Sequence, residues 1–207
     1  MTSAQLYEIM EKVAASSAAA STAPPWGLIG YSMGGRIALQ VAENHPASID
    51  KLVLLAPDGL KVNIGYWVAT RTVAGNLLFR WTMRRPGWLF LLLRISHALR
   101  LVNPSIYKFA VHYIDDRTVR NDLYTRWTTM RKFRPDPAGI AAIIRRRQLP
   151  VSLVYGRYDR IIRWERGERF RRSCAPYCQL TLLSAGHQLL QPQFIEVIMN
   201  ALYLPIV

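Results

Sequence analysis

The chain has 207 residues, 51% of them hydrophobic, and its 27 Lys+Arg against 13 Asp+Glu give a formal net charge of +14. That length suits one domain, or one domain with an inserted subdomain, and the apolar content excludes a disordered tail. The basic surplus attracts polyanions, anionic lipid surfaces or anionic small molecules, and says nothing about fold.

Residues 2 to about 17 pattern as an amphipathic helix, with Leu6, Ile9, Met10 and Val13 recurring on one face and Thr2 and Gln5 at capping-box spacing. With Glu8 and Glu11 in this segment and no basic leader, a signal peptide is not expected. The small-residue run "AASSAAASTAPP" then loosens the chain and stops it at Pro24 and Pro25, too briefly for a domain linker. "WGLIGY" reads as a short buried strand. Helical spacing returns with Ile37, Ala38 and Val41 and ends at Pro46, which cannot continue a helix. "IDKLVLLAP" reads as a second buried strand ended by Pro57. Strand, helix and strand in this order predict a βαβ unit with parallel strands.

From Asp58 to about Arg147 helical patterns, Trp, Tyr and Arg dominate, punctuated by Asn103-Pro104 and Pro135-Asp136-Pro137. This stretch, 58–147, is expected to be an inserted helical subdomain, with 1–57 and 148–207 forming the core. Its most apolar run, Gly87 to Val102, is broken by Arg94, His97 and Arg100, so no transmembrane helix is expected. "LPVSLVYG" predicts a third strand, "ERGERFRRSC" a helix and "CQLTLLS" a fourth strand. "PQFIEVIMNALYL" predicts a last helix with Phe194, Ile195, Ile198 and Leu202 on one face. The fold class is therefore α/β with a mostly parallel sheet and an inserted helical segment. Cys174 and Cys178 lack C-x-x-C spacing and a second Cys/His cluster. Two reduced thiols are expected, with no metal site, and a reducing, cytoplasmic location.

Gly30-Tyr31-Ser32-Met33-Gly34 is a G-x-S-x-G, followed by Gly35. An apolar strand precedes it and an amphipathic helix follows. That context suits a sharp strand-to-helix turn which lifts the serine hydroxyl clear of the backbone, with bulky residues two before or two after expected to clash. The helix that starts there aims free N–H groups at the site, and the Met33 N–H is the natural first donor to an oxyanion. A serine needs a base, and the base needs an orienting acid. Of the four histidines, His45 stands at a helix end, and His97 and His112 lie in helical patterns. His187, in "SAGHQLL", follows the last strand, where ligands meet an open parallel sheet. Asp159 in "YGRYDRII" lies just past the third strand and fits the order Ser…Asp…His best. Asp58, just past the second strand, is the other candidate, and Asp136, between prolines, suits a turn. The bland alternative for Asp159 is a surface salt bridge with Arg157, Arg160 or Arg163.

Three segments carry a resemblance to the α/β-hydrolase superfamily: "GYSMGG", "YGRYDRI" and "AGHQLL", in the superfamily's order. The resemblance runs from about Trp26 to the C-terminus, with the insertion in the place of the helical cap. It implies Ser32 as nucleophile, His187 as general base and acid, Asp159 as the group orienting His187, and Met33 N–H as an oxyanion donor. It implies a serine hydrolase working through an acyl-serine, with no metal or organic cofactor. In the superfamily several strands precede the elbow, and a loop among them supplies a second oxyanion donor. Only one helix and a loop precede it here. The strand at 26–31 is thus expected to expose an apolar edge, open to a strand-donating partner or to self-association. On that footing the alternative is a non-catalytic or fragmentary member that binds an apolar ligand or a partner chain.

Trp67 and Trp88 make the inserted segment aromatic and suggest substrate contacts for a small apolar acyl compound. The same side chains would equally pack the insertion. Arginines recur at 157, 160, 163, 166, 169 and 172. Interleaved Glu165 and Glu168 suit a solvated helix face, while the sharper reading is peripheral contact with an anionic membrane. Nucleic acid is not expected, because no aromatic stacking platform is interleaved with the basic residues.

Overall fold

The structure, a computed structural model, describes residues 2–16, 23–61 and 64–203. Four strands form one all-parallel sheet in the order β1-β2-β3-β4, with β1 Trp26–Tyr31, β2 Ile49–Leu55, β3 Val151–Gly156 and β4 Cys178–Leu183. Parallel neighbours need crossovers. The helix α2 (Met33–Asn44) connects β1 to β2, and α9 (Trp164–Cys174) connects β3 to β4. The chain divides into two compact units, Met1–Lys61 with Phe133–Val207, and Val62–Lys132.

In the sheet unit, β2 and β3 carry the core. Leu52, Val53, Leu54, Leu55, Leu153 and Val154 are wholly buried, as their unbroken apolar runs require when both faces of a parallel sheet are covered. β1 has a single strand neighbour among the described residues, and only its Gly30 is fully buried. It is the edge strand expected at 26–31, although its apolar run by itself reads as a buried strand. The last helix, α10 (Ile195–Tyr203), buries Ile198 and Ala201, and Phe194 and Leu202 pack against the core as predicted, while Ile195 is exposed.

The N-terminal helix α1 (Ser3–Ser16) begins with the capping box that the sequence foretold: Thr2 N–H donates to Gln5 Oε1 at 2.9 Å, and Gln5 N–H to Thr2 Oγ1 at 3.3 Å. Its inner side is Leu6, Tyr7 and Met10, while Ile9 and Val13 face solvent. Tyr7 decides this. Its ring stacks on His45 at 3.9 Å, and its hydroxyl is 2.6 Å from Ser48 Oγ. The run 17–22, expected as a loosened segment, lies outside the described residues.

Among the described residues five α-helices and a short 3-10 helix (Met130–Lys132) make the second unit: α3 (Ile64–Arg71), α4 (Val73–Arg84), α5 (Gly87–Ala98), α6 (Pro104–Asp115) and α7 (Arg117–Thr129). Aromatics hold it together. Phe79 meets Tyr124 at 5.3 Å and Trp127 at 5.4 Å, and the Tyr66 hydroxyl donates to the Trp127 carbonyl at 3.1 Å. Arg120 is buried, and carbonyl oxygens satisfy it: Met83 at 2.9 Å, Asp115 at 2.8 Å, and Ile114. The helix α8 (Pro137–Arg147) belongs to the sheet unit, although the sequence reading carried the insertion to residue 147. Its Ile140, Ala141 and Ile144 join the core of the sheet. Asp136 is its N-cap, accepting from the N–H groups of Ala138 and Gly139.

One core group is unsatisfied. The Tyr155 hydroxyl is buried without a hydrogen-bond partner among the described residues, and burial, with Asp159 nearby, pushes its ionisation up. Such a donor costs about 1–3 kcal/mol. Tyr155→Phe should therefore raise Tm by about 2–4 °C for a chain of this size, measured by thermal unfolding. A lower Tm would show that the hydroxyl has a partner.

Candidate active site

The strand register brings the sites foreseen in the sequence to one edge. Tyr31 pairs with Leu55, Leu55 with Val154, and Gly156 with Leu183, so all four strands end together. Ser32, Asp58, Asp159 and His187 each follow one of those ends within four residues. This is the carboxyl edge, where open parallel sheets bind ligands.

Ser32 occupies the turn between β1 and α2 with φ 52° and ψ −116°. A non-glycine residue at positive φ costs about 1–3 kcal/mol and persists only where its surroundings over-determine it. Three backbone hydrogen bonds do so. Ser32 N–H donates to Leu55 O at 2.9 Å, and Ser32 O accepts from Gly35 N–H at 3.0 Å and Asp58 N–H at 2.8 Å. The glycines supply room. A Cβ on Gly30 would stand 2.7 Å from Gly34 O, and one on Gly35 would stand 2.4 Å from Pro57 Cβ. A Cβ on Gly34 would meet nothing within 4 Å. The expectation that the residue two after the serine must be small is therefore corrected: the crowded position is Gly35, where α2 crosses the end of β2. Met33 is the first residue of α2, and N–H groups in a first turn have no carbonyl one turn earlier.

The loops after β3 and β4 are laced together. Arg157 N–H donates to Leu183 O at 2.8 Å and Tyr158 N–H to Ala185 O at 2.9 Å. The second loop crosses so close above Gly156 that a Cβ there would stand 2.1 Å from Gly186 O. Asp159, 3% exposed, uses Oδ1 to accept from Ile161 N–H at 2.8 Å and Ile162 N–H at 2.9 Å. Its Oδ2 lies 2.7 Å from His187 Nδ1, and His187 Nε2 lies 3.2 Å from Ser32 Oγ. A carboxylate only accepts, so the proton between them belongs to Nδ1, and the lone pair on Nε2 faces the serine hydroxyl. Asp159 is thus buried against His187, and among the described residues it makes no ion pair with Arg157, Arg160 or Arg163.

Asp58 is placed otherwise. It pairs with the buried guanidinium of Arg36 on α2 and accepts from Gly59 N–H at 2.8 Å. Tyr31 was not foreseen. Its hydroxyl donates to the His187 carbonyl at 3.0 Å, and its ring lies 5.4 Å from the imidazole. The hydroxyl therefore ties the histidine loop to the strand that carries the serine. An aromatic residue at a strand end reads as core, and only its place beside the serine could have signalled this. His45 caps α2, and His97 stacks on Tyr107 at 4.3 Å. Trp67 on α3 and Trp88 on α5 belong to the helical unit, and Ser32 belongs to the sheet unit. On α9, Arg163 pairs with Glu165, and Arg171 and Arg172 bind Glu168 and hold its carboxyl down at about 2. Among the described residues no three His, Cys, Asp or Glu side chains cluster as metal ligands, and both cysteines are free and buried.

A family model described as alpha/beta hydrolase fold matches residues 2–190. The chain belongs to the alpha/beta hydrolase fold family. Solved structures agree in fold. A protein of Pseudomonas aeruginosa PAO1 described as a probable hydrolytic enzyme superposes with TM-score 0.59 at 18% identity, and the match covers 97% of this chain and 68% of that one. A carboxylesterase structure from the thaumarchaeon Nitrososphaera gargenis gives TM-score 0.58 at 14% identity, covering 98% and 72%. A thermophilic esterase of Thermogutta terrifontis gives 0.57 at 17%, covering 86% and 63%. This alpha/beta hydrolase fold chain thus spans about two-thirds of the length of the solved structures it matches. No curated protein matches it. Among its described residues no helix is long and apolar enough to cross a membrane.

Proposed function

We propose that this chain carries the acyl-transfer machinery of a serine hydrolase acting on an apolar ester. The observation that supports it is the unbroken relay from Asp159 Oδ2 through His187 to Ser32 Oγ, at 2.7 and 3.2 Å. In this reading His187 Nε2 takes the proton of the Ser32 hydroxyl as Oγ bonds to the acyl carbon. The carbonyl π electrons move onto oxygen, and the Met33 N–H donates to that oxyanion. Collapse breaks the bond to the leaving alcohol, which receives the proton from His187. Water then repeats the sequence on the acyl-serine and returns Ser32. Asp159 keeps the proton on Nδ1 and stabilises the imidazolium. An acceptor alcohol in place of water would make the same steps an acyl transfer.

The apolar substrate class rests on the aromatic, leucine-rich composition of residues 62–132. The test is hydrolysis of p-nitrophenyl esters of increasing acyl length. Turnover should rise from acetate to medium-chain esters and fall to background in Ser32→Ala. Activity that survives Ser32→Ala would overturn the reading. The second reading, a member that binds without catalysis, draws on the edge position of β1. It expects no turnover with any ester from a folded chain.

A further inference from the structure

Helices α4 and α5 each leave an apolar stripe in solvent. On α5 the exposed residues Trp88, Leu91 and Ile95, continued by its C-cap Leu99, recur at helical spacing, and no residue of that helix is buried. On α4 the exposed pair Leu77 and Trp81 has the same period. The two stripes are one surface, because Trp81 and Trp88 stack at 5.9 Å across the α4–α5 turn. Leu91 is 61% exposed and Leu99 63%, far more than a packed helix leaves in water.

The charge around this surface has one sign. Between Asp58 and Asp115 the sequence has no acidic residue. Arg80, Arg84, Arg85, Arg94 and Arg100 are all exposed on or beside the two helices, and none pairs with a carboxylate among the described residues. On α9 the arginines are interleaved with glutamates instead. Leucine, isoleucine and tryptophan on one side, with unpaired arginines beside them, is the composition of a helix that lies in a bilayer interface. Two copies of the surface would oppose their own positive charge, which argues against self-association.

We propose that the α4–α5 face docks on an anionic phospholipid bilayer, with the apolar stripe entering the headgroup boundary and the arginines engaging lipid phosphates. This assigns Trp88 to a lipid surface where the sequence suggested a substrate contact. It moves the membrane contact from the α9 arginines to the helical unit. Basic residues near an anionic leaflet are drawn to its surface potential, so reversing two of them should weaken binding tenfold or more.

The test is co-sedimentation of the full chain with vesicles of phosphatidylcholine alone and with about one-third phosphatidylserine. The chain should pellet with the anionic vesicles, stay in solution with the neutral ones, and be released by added salt. Leu91→Ser with Ile95→Ser, and separately Arg84→Glu with Arg85→Glu, should each lose about tenfold or more in partitioning while keeping the parent's melting temperature. Ser32→Ala should bind as the parent does, so a failure of docking is read independently of any failure of catalysis. No binding to anionic vesicles, or equal binding to both kinds, would overturn the proposal. So would a dimer, seen by sedimentation velocity, that the Leu91→Ser, Ile95→Ser variant abolishes.

Discussion

His187→Ala should lower ester turnover by about 10⁶, as far as Ser32→Ala does, because a relay of this kind fails as a unit. Asp159→Asn should cost less, about 10⁴, and leave the fold intact. The difference follows from the hydrogen bonds. Oδ1 of Asp159 accepts from two backbone N–H groups, and Oδ2 faces His187 Nδ1. An asparagine that keeps its carbonyl oxygen on those two N–H groups turns an N–H₂ toward Nδ1. It thereby forces the imidazole into the tautomer whose Nε2 carries the proton. Ser32 then faces a donor in place of a base. Steady-state kinetics on the three variants, with melting curves to verify folding, measures both effects. A loss at His187 of less than about tenfold would remove it from the proton path.

The second large effect is steric. Gly35→Val should destabilise the fold by about 1–3 kcal/mol or more and slow acylation of Ser32. The Cβ alone would stand 2.4 Å from Pro57 Cβ and 2.7 Å from Pro57 Cα, so α2 or the end of β2 must move. Ser32 is hydrogen-bonded to both regions, through Gly35 N–H, Leu55 O and Asp58 N–H, and cannot keep its geometry when they part. Gly34→Ala is the control. Nothing lies within 4 Å of its Cβ position, and alanine in the first turn of α2 should leave stability unchanged or add up to about 1 kcal/mol. Urea unfolding midpoints for the two variants measure the contrast. Equal midpoints would show that the crossing at Pro57 is looser than described.

The order of strands and helices was legible because continuous apolar runs and 3.6-residue patterns differ in period. The placement of Asp159 and His187 at one edge was legible because parallel strands end together, so position in the chain predicts position in space. Other features depend on three-dimensional partners that no local pattern encodes. Residues 137–147 look like any amphipathic helix, and only the burial of Ile140 and Ile144 against the sheet separates α8 from the insertion. Arg36 on a helix reads as solvent-facing, yet it is buried against Asp58. Gly34 and Gly35 are chemically identical, and the approach of Pro57 alone tells them apart. The inner face of α1 differs from the patterned one because Tyr7, a residue that serves at a surface or in a core, packs inward on His45 and Ser48.

The proposed function requires Ser32 to be a nucleophile activated by His187. Intact-mass analysis of the 207-residue chain after exposure to a fluorophosphonate tests it, beside Ser32→Ala and His187→Ala. A single adduct is expected on the parent and none on either variant. A folded parent that takes no adduct, or an adduct that persists in Ser32→Ala, would contradict it.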